Sequence, residues 1–351
     1  MIITDAKVET HDMQLKEPWA IAGHVHESIK NTFITLKDTE GNIGIGSCAT
    51  QNDSEESVKA CFDNLNSFSS SLTGKDLTPN ENILSWVASE LSSSPEGNAA
   101  VDIALHDLWA KRQKKSLVEA LGKKHQSFDT SITIGVASLE KTIEMAEKHI
   151  GNGFSFLKIK IGDCVEEDIE RMKALFALKP EEIRIRVDAN RGYSKEELIK
   201  FYGETLDLGL ELIEQPMETD QNDEMLYFPE EIRKICVADE SLKNFDHAMH
   251  LVQEPKPFGV FNIKLMKCGG VFAAKKIAAL AQENGIKLMW GCFDESKVSI
   301  SAALHTAFSC ENTQYIDLDG FFDLGWDLIE GGYTCENGVM SVIEKPGLGI
   351  Y

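Results

Sequence analysis

The stretch LKIKIGDCVEEDIERMKALFALKPEEIRIRVDAN (157–190) decides the fold class of this chain. It holds a short β-branched run that ends at Lys160, a helical stretch, and a second short run that ends at Asp188. This alternation predicts two parallel strands joined by a helix, a unit of roughly 30 residues. Each predicted strand ends in a charged residue, so the unit also carries side chains that could belong to one site.

Charged residues recur at intervals of 23 to 30 residues along the chain, by subtraction of their numbers: Lys160, Asp188, Glu214, Asp239, Lys264, Asp294 and Asp317. Eight candidate strands carry or precede them: 130–134, 155–160, 183–188, 211–214, 235–238, 259–264, 287–290 and 314–317. Eight strands that alternate with helices predict an α/β barrel with the helices outside. In such a barrel the carboxyl ends of the strands meet at one mouth, where active sites are built.

The segments on either side of the predicted barrel have a different pattern. Runs at 2–8, 32–36 and 43–48 predict antiparallel strands, and residues 54 to 122 are helical in pattern. The segment from 324 onward predicts a hairpin that returns to the N-terminal domain. We therefore expect an N-terminal α+β domain at 1–125, the barrel at 126–323, and a C-terminal segment at 324–351.

The composition excludes several classes of protein. The formal net charge of −22 argues against nucleic acid as a partner, because a polyanion would be repelled. The chain has no apolar run near the roughly 18 residues of a membrane span, and its start lacks the features of a signal peptide. The eight cysteines are scattered without a CxxC pair, so no disulfide framework is indicated and a cytoplasmic location is expected.

Three carboxylates would end the third, fourth and fifth strands of the barrel: Asp188, Glu214 and Asp239. Neighbouring strands lie about 4.8 Å apart, so adjacent strand ends could aim three oxygens at one ion. A site of carboxylates without histidine or cysteine is typical of a hard cation, and open positions for a substrate favour Mg²⁺. The alternative is that each acid caps the next helix or is a surface charge.

Lysines flank these acids on both sides. Lys158 and Lys160 are two residues apart on one strand, so both face the barrel interior, where an unpaired ammonium is costly. A second ammonium and a nearby metal would disfavour protonated Lys160 and make it a base near neutral pH. Lys264 ends the sixth strand, across the barrel, so the two could reach opposite faces of one carbon. The alternatives are a structural ion pair for Lys160, and Lys267 on the following loop in place of Lys264.

Three acids and one histidine could contact a substrate at the mouth. Asp317 and Asp319 share one face at the end of the eighth strand. They would hold a substrate ammonium group, unless they are solvated loop acids. Asp294, in GCFDES (291–296), either recognises a cationic side chain or caps the next helix. His24 lies in a predicted loop that could reach over the mouth, although a loop histidine is more often solvated.

Taken together, these motifs resemble the enolase superfamily, in its muconate-lactonising-enzyme-like branch and, within that, the dipeptide epimerases. The resemblance covers essentially the whole chain. The matching stretches are LKIKIG (157–162), RVDANRGYS (186–194), IEQP (213–216), ADES (238–241), NIKLMKCGG (262–270), DLDG (317–320), AAVDIALHDL (99–108) and KPGLGI (345–350). It implies a modified (β/α)7β TIM-type barrel, an N-terminal domain that caps the mouth and is completed by the C-terminal segment, and a homo-oligomer.

The resemblance also implies roles for individual residues. Lys160 and Lys264 would be the acid/base catalysts, and Lys158 would give electrostatic support. Three carboxylates would bind Mg²⁺: Asp188, Glu214 and Asp239. Asp317 and Asp319 would hold the substrate's amino group. Five further residues would line the substrate pocket: Thr133, His24, Cys292, Phe293 and Asp294.

The predicted function is therefore that of an isomerase, a Mg²⁺-dependent dipeptide epimerase. One lysine would remove the α-proton of the C-terminal residue, a metal-stabilised enediolate would form, and the other lysine would return a proton to the opposite face.

Three departures from the family pattern concern substrate choice: Ser47 with the short loop after it, His24, and Asp294. Asp294 and the acidic mouth favour a cationic or polar side chain over L-Ala-L-Glu. The alternatives are a muconate-type cycloisomerase, an o-succinylbenzoate synthase-like lyase, or a catalytically silent metal-binding barrel that acts as an interaction protein.

Overall fold

The structure, a computed structural model, describes residues 1–21, 24–51 and 54–351, with the side chains of 17–26 not included. An antiparallel sheet of three strands comes first: β1 (Ile3–Ile21), β2 (His24–Asp38) and β3 (Ile43–Ala49). β1 and β2 are much longer than predicted, because backbone pairing between them continues through polar stretches that lack an apolar alternation. His24 thus begins a strand, so its predicted loop position is wrong, and its side chain lies outside the described residues.

Four helices follow this sheet: α1 (Glu55–Leu72), α2 (Glu81–Glu90), α3 (Pro95–Arg112) and α4 (Leu117–Leu121). α3 is buried on nearly every side, and Gly44 and Gly46 of β3 allow its close approach. A Cβ atom at Gly46 would lie 1.8 Å from the carbonyl oxygen of Ala100, so any larger residue would push the helix away. No helix in the described ranges is long and apolar enough to cross a membrane.

Eight parallel strands form the predicted barrel after the two-residue strand β4 (Phe128–Asp129). They are β5 (Ile132–Ile134), β6 (Phe156–Lys160), β7 (Arg184–Asp188), β8 (Leu212–Glu214), β9 (Cys236–Ala238), β10 (Val260–Ile263), β11 (Lys287–Gly291) and β12 (Thr313–Asp317). Neighbours in sequence are neighbours in the sheet, and a parallel bridge between Thr130 and Ile316 closes the ring. The predicted fold class is confirmed, and every strand agrees with its predicted range to within two residues.

Helices follow the strands around the outside of the barrel. They are α5 (Leu139–Gly151), α6 (Val165–Leu178), α7 (Lys195–Thr205), α8 (Glu230–Arg233), α9 (Phe245–Leu251), α10 (Leu265–Cys268), α11 (Val271–Glu283) and α12 (Lys297–Ala307). In α11 the buried residues are spaced three and four apart, as in Val271, Ala274 and Ile277, so one apolar stripe faces the sheet.

The last part of the chain contacts both domains. The predicted hairpin forms from β13 (Tyr333–Glu336) and β14 (Val339–Val342), but β14 pairs with β4 and not with the N-terminal sheet. The tail after the hairpin reaches the N-terminal helices, where Leu348 N donates to Asp107 Oδ1 at 2.8 Å. These contacts support the proposal that 324–351 completes the domain at 1–125, with the barrel at 126–323.

His305, in α12, joins α4 to the C-terminal tail and should make stability depend on pH. Its Nδ1 accepts the N–H of Val118 at 3.1 Å, so the proton of the neutral ring is on Nε2, which faces Leu348 O at 3.3 Å. Burial lowers the pKa of His305 from 6.5 to about 4. The unfolded chain therefore binds this proton first as pH falls, and folding loses about 3 kcal/mol between pH 6.5 and 4.

We expect the His305→Gln variant to lose this part of the pH dependence, because glutamine can donate and accept without titrating. Urea unfolding at pH 7 and pH 5 would measure it in both proteins. Equal losses of unfolding free energy in the wild type and the variant would contradict this assignment.

Candidate active site

The register of the barrel strands brings the predicted lysines and carboxylates to one end. Lys160 pairs in register with Asp188, and Asp188 with Glu214, across β6, β7 and β8. Asp239 and Lys264 come one residue after β9 and β10. Five charged residues from five successive strands therefore line one arc of the barrel mouth.

The carboxylates of this arc are neither helix caps nor surface charges. The helices after β7 and β9 are capped by Ser194 and Asn244, whose side chains each accept a first-turn N–H group. Asp188, Glu214 and Asp239 are all buried. The alternative interpretation of these acids is therefore wrong, because a buried carboxylate needs charged or hydrogen-bonding partners inside the protein.

Lys158 is at the centre of the charged cluster. Its Nζ lies 2.7 Å from Glu214 Oε2, 2.7 Å from Asp317 Oδ2 and 3.1 Å from Asp188 Oδ2. Burial disfavours its charge, but the attraction of these carboxylates outweighs burial and holds the pKa of Lys158 well above its ordinary value. The three carboxylates thus favour the charged form of Lys158, which suits electrostatic support.

Asp188, Glu214 and Asp239 form a row of carboxylates along the mouth, and Lys160 and Lys264 lie at the two ends of this carboxylate row. Lys160 Nζ is 2.7 Å from Asp188 Oδ2, and Lys264 Nζ is 3.0 Å from Asp239 Oδ2. Their strands, β6 and β10, are four places apart in a ring of eight, so the two side chains stand across the mouth from each other. Lys160 does form an ion pair with Asp188, as the alternative interpretation of this lysine predicted. Its position opposite Lys264 also suits proton transfer at two faces of one carbon.

The carboxylates of the row differ in charge. Burial favours the neutral forms of Asp188 and Asp239, but the lysine ammonium groups beside them outweigh burial and lower both pKa values below the ordinary range. For Glu214, burial and repulsion by Asp188 prevail and raise the pKa to about 8. Glu214 is therefore the carboxylate of the row whose charged form is least favoured near neutral pH.

The chemistry of this row suits a divalent cation. Its donors are carboxylate oxygens, which hard cations prefer, and a divalent cation beside Glu214 would lower its raised pKa and favour its carboxylate form. Within the described ranges, no three histidine, cysteine or acidic groups converge closely enough to hold a metal as they stand. The reason is that Lys158 lies between Asp188 and Glu214, and Lys264 contacts Asp239. A metal would have to displace these ammonium groups from the oxygens.

Asp317 and Asp319 form the other side of the mouth and are not solvated loop acids. Asp317 is buried against Lys158, and its Oδ1 has no hydrogen-bond partner. Asp319 Oδ2 accepts the N–H of Thr133 at 2.7 Å, and burial with repulsion by Asp317 raises the pKa of Asp319 to about 6. Thr133 pairs in register with Lys158, beside the centre of the cluster. This acidic pair is suited to a donor such as an ammonium group.

The loop after β11 carries three of the predicted pocket residues. The ring of Phe293 has its centroid 5.2 Å from Lys264 Nζ, and Cys292 Sγ lies 3.6 Å from the carbonyl oxygen of Asp317. Burial raises the pKa of the Cys292 thiol, so it is not a nucleophile at neutral pH. Asp294 does not cap the next helix, because α12 begins after Ser296. Recognition of a cationic side chain stays a prediction for Asp294.

Two asparagines in the site were not assigned from the sequence. Asn262 Nδ2 donates to Glu214 Oε1 at 2.7 Å, and Lys160 Nζ donates to Asn190 Oδ1 at 2.7 Å. Both stand in the motifs already quoted, NIK and DAN, two residues from a charged residue at a strand end. That position was the available signal, since a side chain beside a strand end also reaches the mouth.

Asp239 is held in place by Gln215 and Lys267. Gln215 Oε1 accepts the backbone N–H groups of Asp239 and Ser241, both at 3.0 Å. Lys267 Nζ contacts the carboxylate of Asp239 and lies 2.5 Å from its carbonyl oxygen. Lys267 stands on the single-turn helix α10 and not on a loop. Its contact with both the main chain and the side chain of Asp239 indicates a supporting role.

A cavity of about 440 Å³ adjoins the site between the two domains. The barrel contributes Lys267 and Phe293 to its wall, and the N-terminal domain contributes Ala49, Gln51 and Glu96. This volume lies in the range of small-molecule sites. A substrate that reaches Lys264 could therefore place part of its structure between the domains.

Two family models match this chain. Residues 3–122 match the N-terminal domain of mandelate racemase and muconate lactonizing enzyme, and residues 141–351 match the enolase C-terminal domain-like family. A relative from Desulforapulum autotrophicum, an L-Lys-D/L-Arg epimerase, is 42% identical, with 100% of this chain and 99% of the relative covered.

Two solved structures are also similar over the whole chain. The dipeptide epimerase from Methylococcus capsulatus, complexed with Mg and the dipeptide L-Arg-D-Lys, has 39% identity and a TM-score of 0.95, with 100% of this chain and 99% of that chain covered. A substrate-liganded complex of the L-Ala-D/L-Glu epimerase from Bacillus subtilis has 30% identity and a TM-score of 0.91, with 100% and 99% covered.

Proposed function

This chain belongs to the enolase superfamily, in its muconate-lactonising-enzyme-like branch, and on that premise we propose that it is a Mg²⁺-dependent dipeptide epimerase. Like its curated relatives, it is an isomerase that acts on amino acid derivatives. The observation that carries the proposal is the position of Lys160 and Lys264 at opposite ends of one carboxylate row.

The reaction is a proton transfer at one carbon. One of the two lysines, in its neutral form, accepts the α-proton of the C-terminal residue, and the other, protonated, donates to the opposite face and inverts the centre. The positive charge of Lys158 offsets the negative charge that develops on the substrate carboxylate. In the reverse direction Lys160 and Lys264 exchange roles, so both epimers are substrates.

Asp188, Glu214 and Asp239 would hold the Mg²⁺ ion. The bound ion supplies positive charge next to the substrate carboxylate, which makes the α-proton more acidic and is worth several kcal/mol. Gln215 and Lys267 restrict the movement of Asp239, and Asn262 orients Glu214. These contacts keep the carboxylates directed at the mouth.

Asp317 and Asp319 would bind the ammonium group of the dipeptide. The unpartnered Oδ1 of Asp317 can accept from such a donor. A dianionic substrate has no ammonium group and would be repelled by the two carboxylates. The acidic pair therefore favours a dipeptide over the substrates of a cycloisomerase or an o-succinylbenzoate synthase-like lyase.

The preferred dipeptides should carry cationic or polar side chains. Asp294 follows Phe293, whose ring centroid is 5.2 Å from Lys264 Nζ, and the chain has a net charge of −22. Relatives with 40% and 42% identity are L-Lys-D/L-Arg epimerases, whereas an L-Ala-D/L-Glu epimerase is 33% identical.

Deuterium exchange over a dipeptide library tests this function. With Mg²⁺ in D₂O, mass spectrometry should detect deuterium at the α-carbon of the C-terminal residue, and lysine- or arginine-containing dipeptides should exceed L-Ala-L-Glu by about tenfold or more in kcat/KM. Preference for acidic dipeptides would contradict the side-chain class. Absence of exchange with every dipeptide would contradict the epimerase and favour a catalytically silent barrel.

A further inference from the structure

Asn31 of the N-terminal domain holds the barrel loop that carries Phe293 and Asp294. It lies on β2 with a fully buried side chain. Its Oδ1 accepts the N–H of Ser296 at 3.0 Å, and its Nδ2 donates to the carbonyl oxygen of Asp294 at 3.4 Å. A buried peptide group needs a hydrogen-bond partner, and here one side chain from the other domain serves two peptide groups of the loop. The conformation of the loop therefore depends on the N-terminal domain.

Asn31 also stands next to a residue of the cavity wall. Asn31 pairs in register with Ala49, which lines the cavity together with Phe293. The far end of the loop is anchored separately, because Ser296 Oγ donates to Asp327 Oδ1 at 3.0 Å and also caps α12. Asn31 thus holds the segment that directly follows Phe293, the residue of this loop that lines the cavity.

We propose that Asn31 is a positioning residue that sets Phe293 and Asp294 against the substrate side chain and so determines which dipeptides are accepted. This inference rests on the proposed function. The hydrogen bonds of Asn31 described above go to Asp294 and Ser296, so its removal leaves the contacts of the lysines and the carboxylate row in place. Asn31 acts on the selection of the substrate and not on the proton transfer.

The test compares Asn31→Ala with Thr32→Val. Thr32 is the next residue on β2, is also buried, and has its hydroxyl 2.9 Å from that of Thr10 inside the N-terminal domain, so its variant loses a hydrogen bond without touching the loop. In Asn31→Ala we expect KM for the best cationic dipeptide to rise about tenfold, and the preference over L-Ala-L-Ala to fall by a similar factor, with kcat within about twofold. Thr32→Val should keep the preference of the wild type.

Hydrogen exchange of the loop amides gives a second measurement that needs no substrate. Protection of the segment 292–297 should fall in Asn31→Ala and stay in Thr32→Val. If the alanine variant does not fold, Asn31→Gln keeps a neutral amide that can both donate and accept but displaces it by one methylene, so an intermediate effect is expected.

Unchanged dipeptide preference in a folded variant, or unchanged loop protection, would overturn the role of Asn31. A wild-type protein that exchanges no dipeptide would instead refute the proposed function. In that case the hydrogen-exchange comparison still decides whether Asn31 holds the loop.

Discussion

Replacement of Lys160 or Lys264 by alanine is expected to abolish interconversion of the two epimers while the protein stays folded. A positioned acid or base contributes about 10²–10⁴-fold to a rate, and inversion needs both groups. Neither side chain is part of the hydrophobic core, so circular dichroism should be unchanged. Chiral chromatography of the products would measure the loss.

Isotope exchange makes this prediction sharper. Each variant keeps one lysine on one flank, so it should still exchange the α-proton of a single epimer with D₂O, and the two variants should act on opposite epimers. Lys195→Ala is the control, because that lysine pairs with Glu224 at 2.9 Å away from the carboxylate row and should leave turnover unchanged. Near-normal turnover in either variant, or exchange of the same epimer by both, would exclude the two-base mechanism.

The Asp107→Ala variant is expected to lose about 3–5 kcal/mol of unfolding free energy. Asp107 is fully buried in α3 and accepts the N–H groups of Ile45 at 3.0 Å and Leu348 at 2.8 Å, with the ammonium of Lys111 at 2.7 Å. It thereby joins β3, α3 and the C-terminal tail. Alanine would leave two buried N–H groups and one ammonium without their acceptor, and urea unfolding would measure the cost.

Asp63→Ala is the matched control for this variant. Asp63 also pairs with a lysine at a spacing of four on a helix, Lys59, but both side chains are largely exposed. An exposed pair of this kind contributes at most about 0.5 kcal/mol, so the control should be nearly neutral. If both variants lost a similar amount of unfolding free energy, burial of Asp107 would not explain its contribution.

The barrel and much of the candidate site were predictable because their signals are local. A strand ends where its short apolar run ends, so the positions of Lys160, Asp188 and Glu214 at strand ends followed from the pattern around each residue. The lengths of β1 and β2 were not predictable, because backbone pairing holds polar stretches that have no apolar alternation. Asn31 was not singled out either, since its partners are more than 260 positions away.

The sequence by itself determined the eight strands, their order and the charged residue at the end of most of them, since apolar runs and strand alternation depend on neighbours in the chain. Only the tertiary structure decided which charges pair. Closure of the ring brings Asp317 of β12 to Lys158 of β6, and the path of α10 brings Lys267 to Asp239. These pairings depend on distances across the barrel, which local patterns do not specify. The hydrogen bonds from Asn31 to the loop after β11 depend on how the two domains pack.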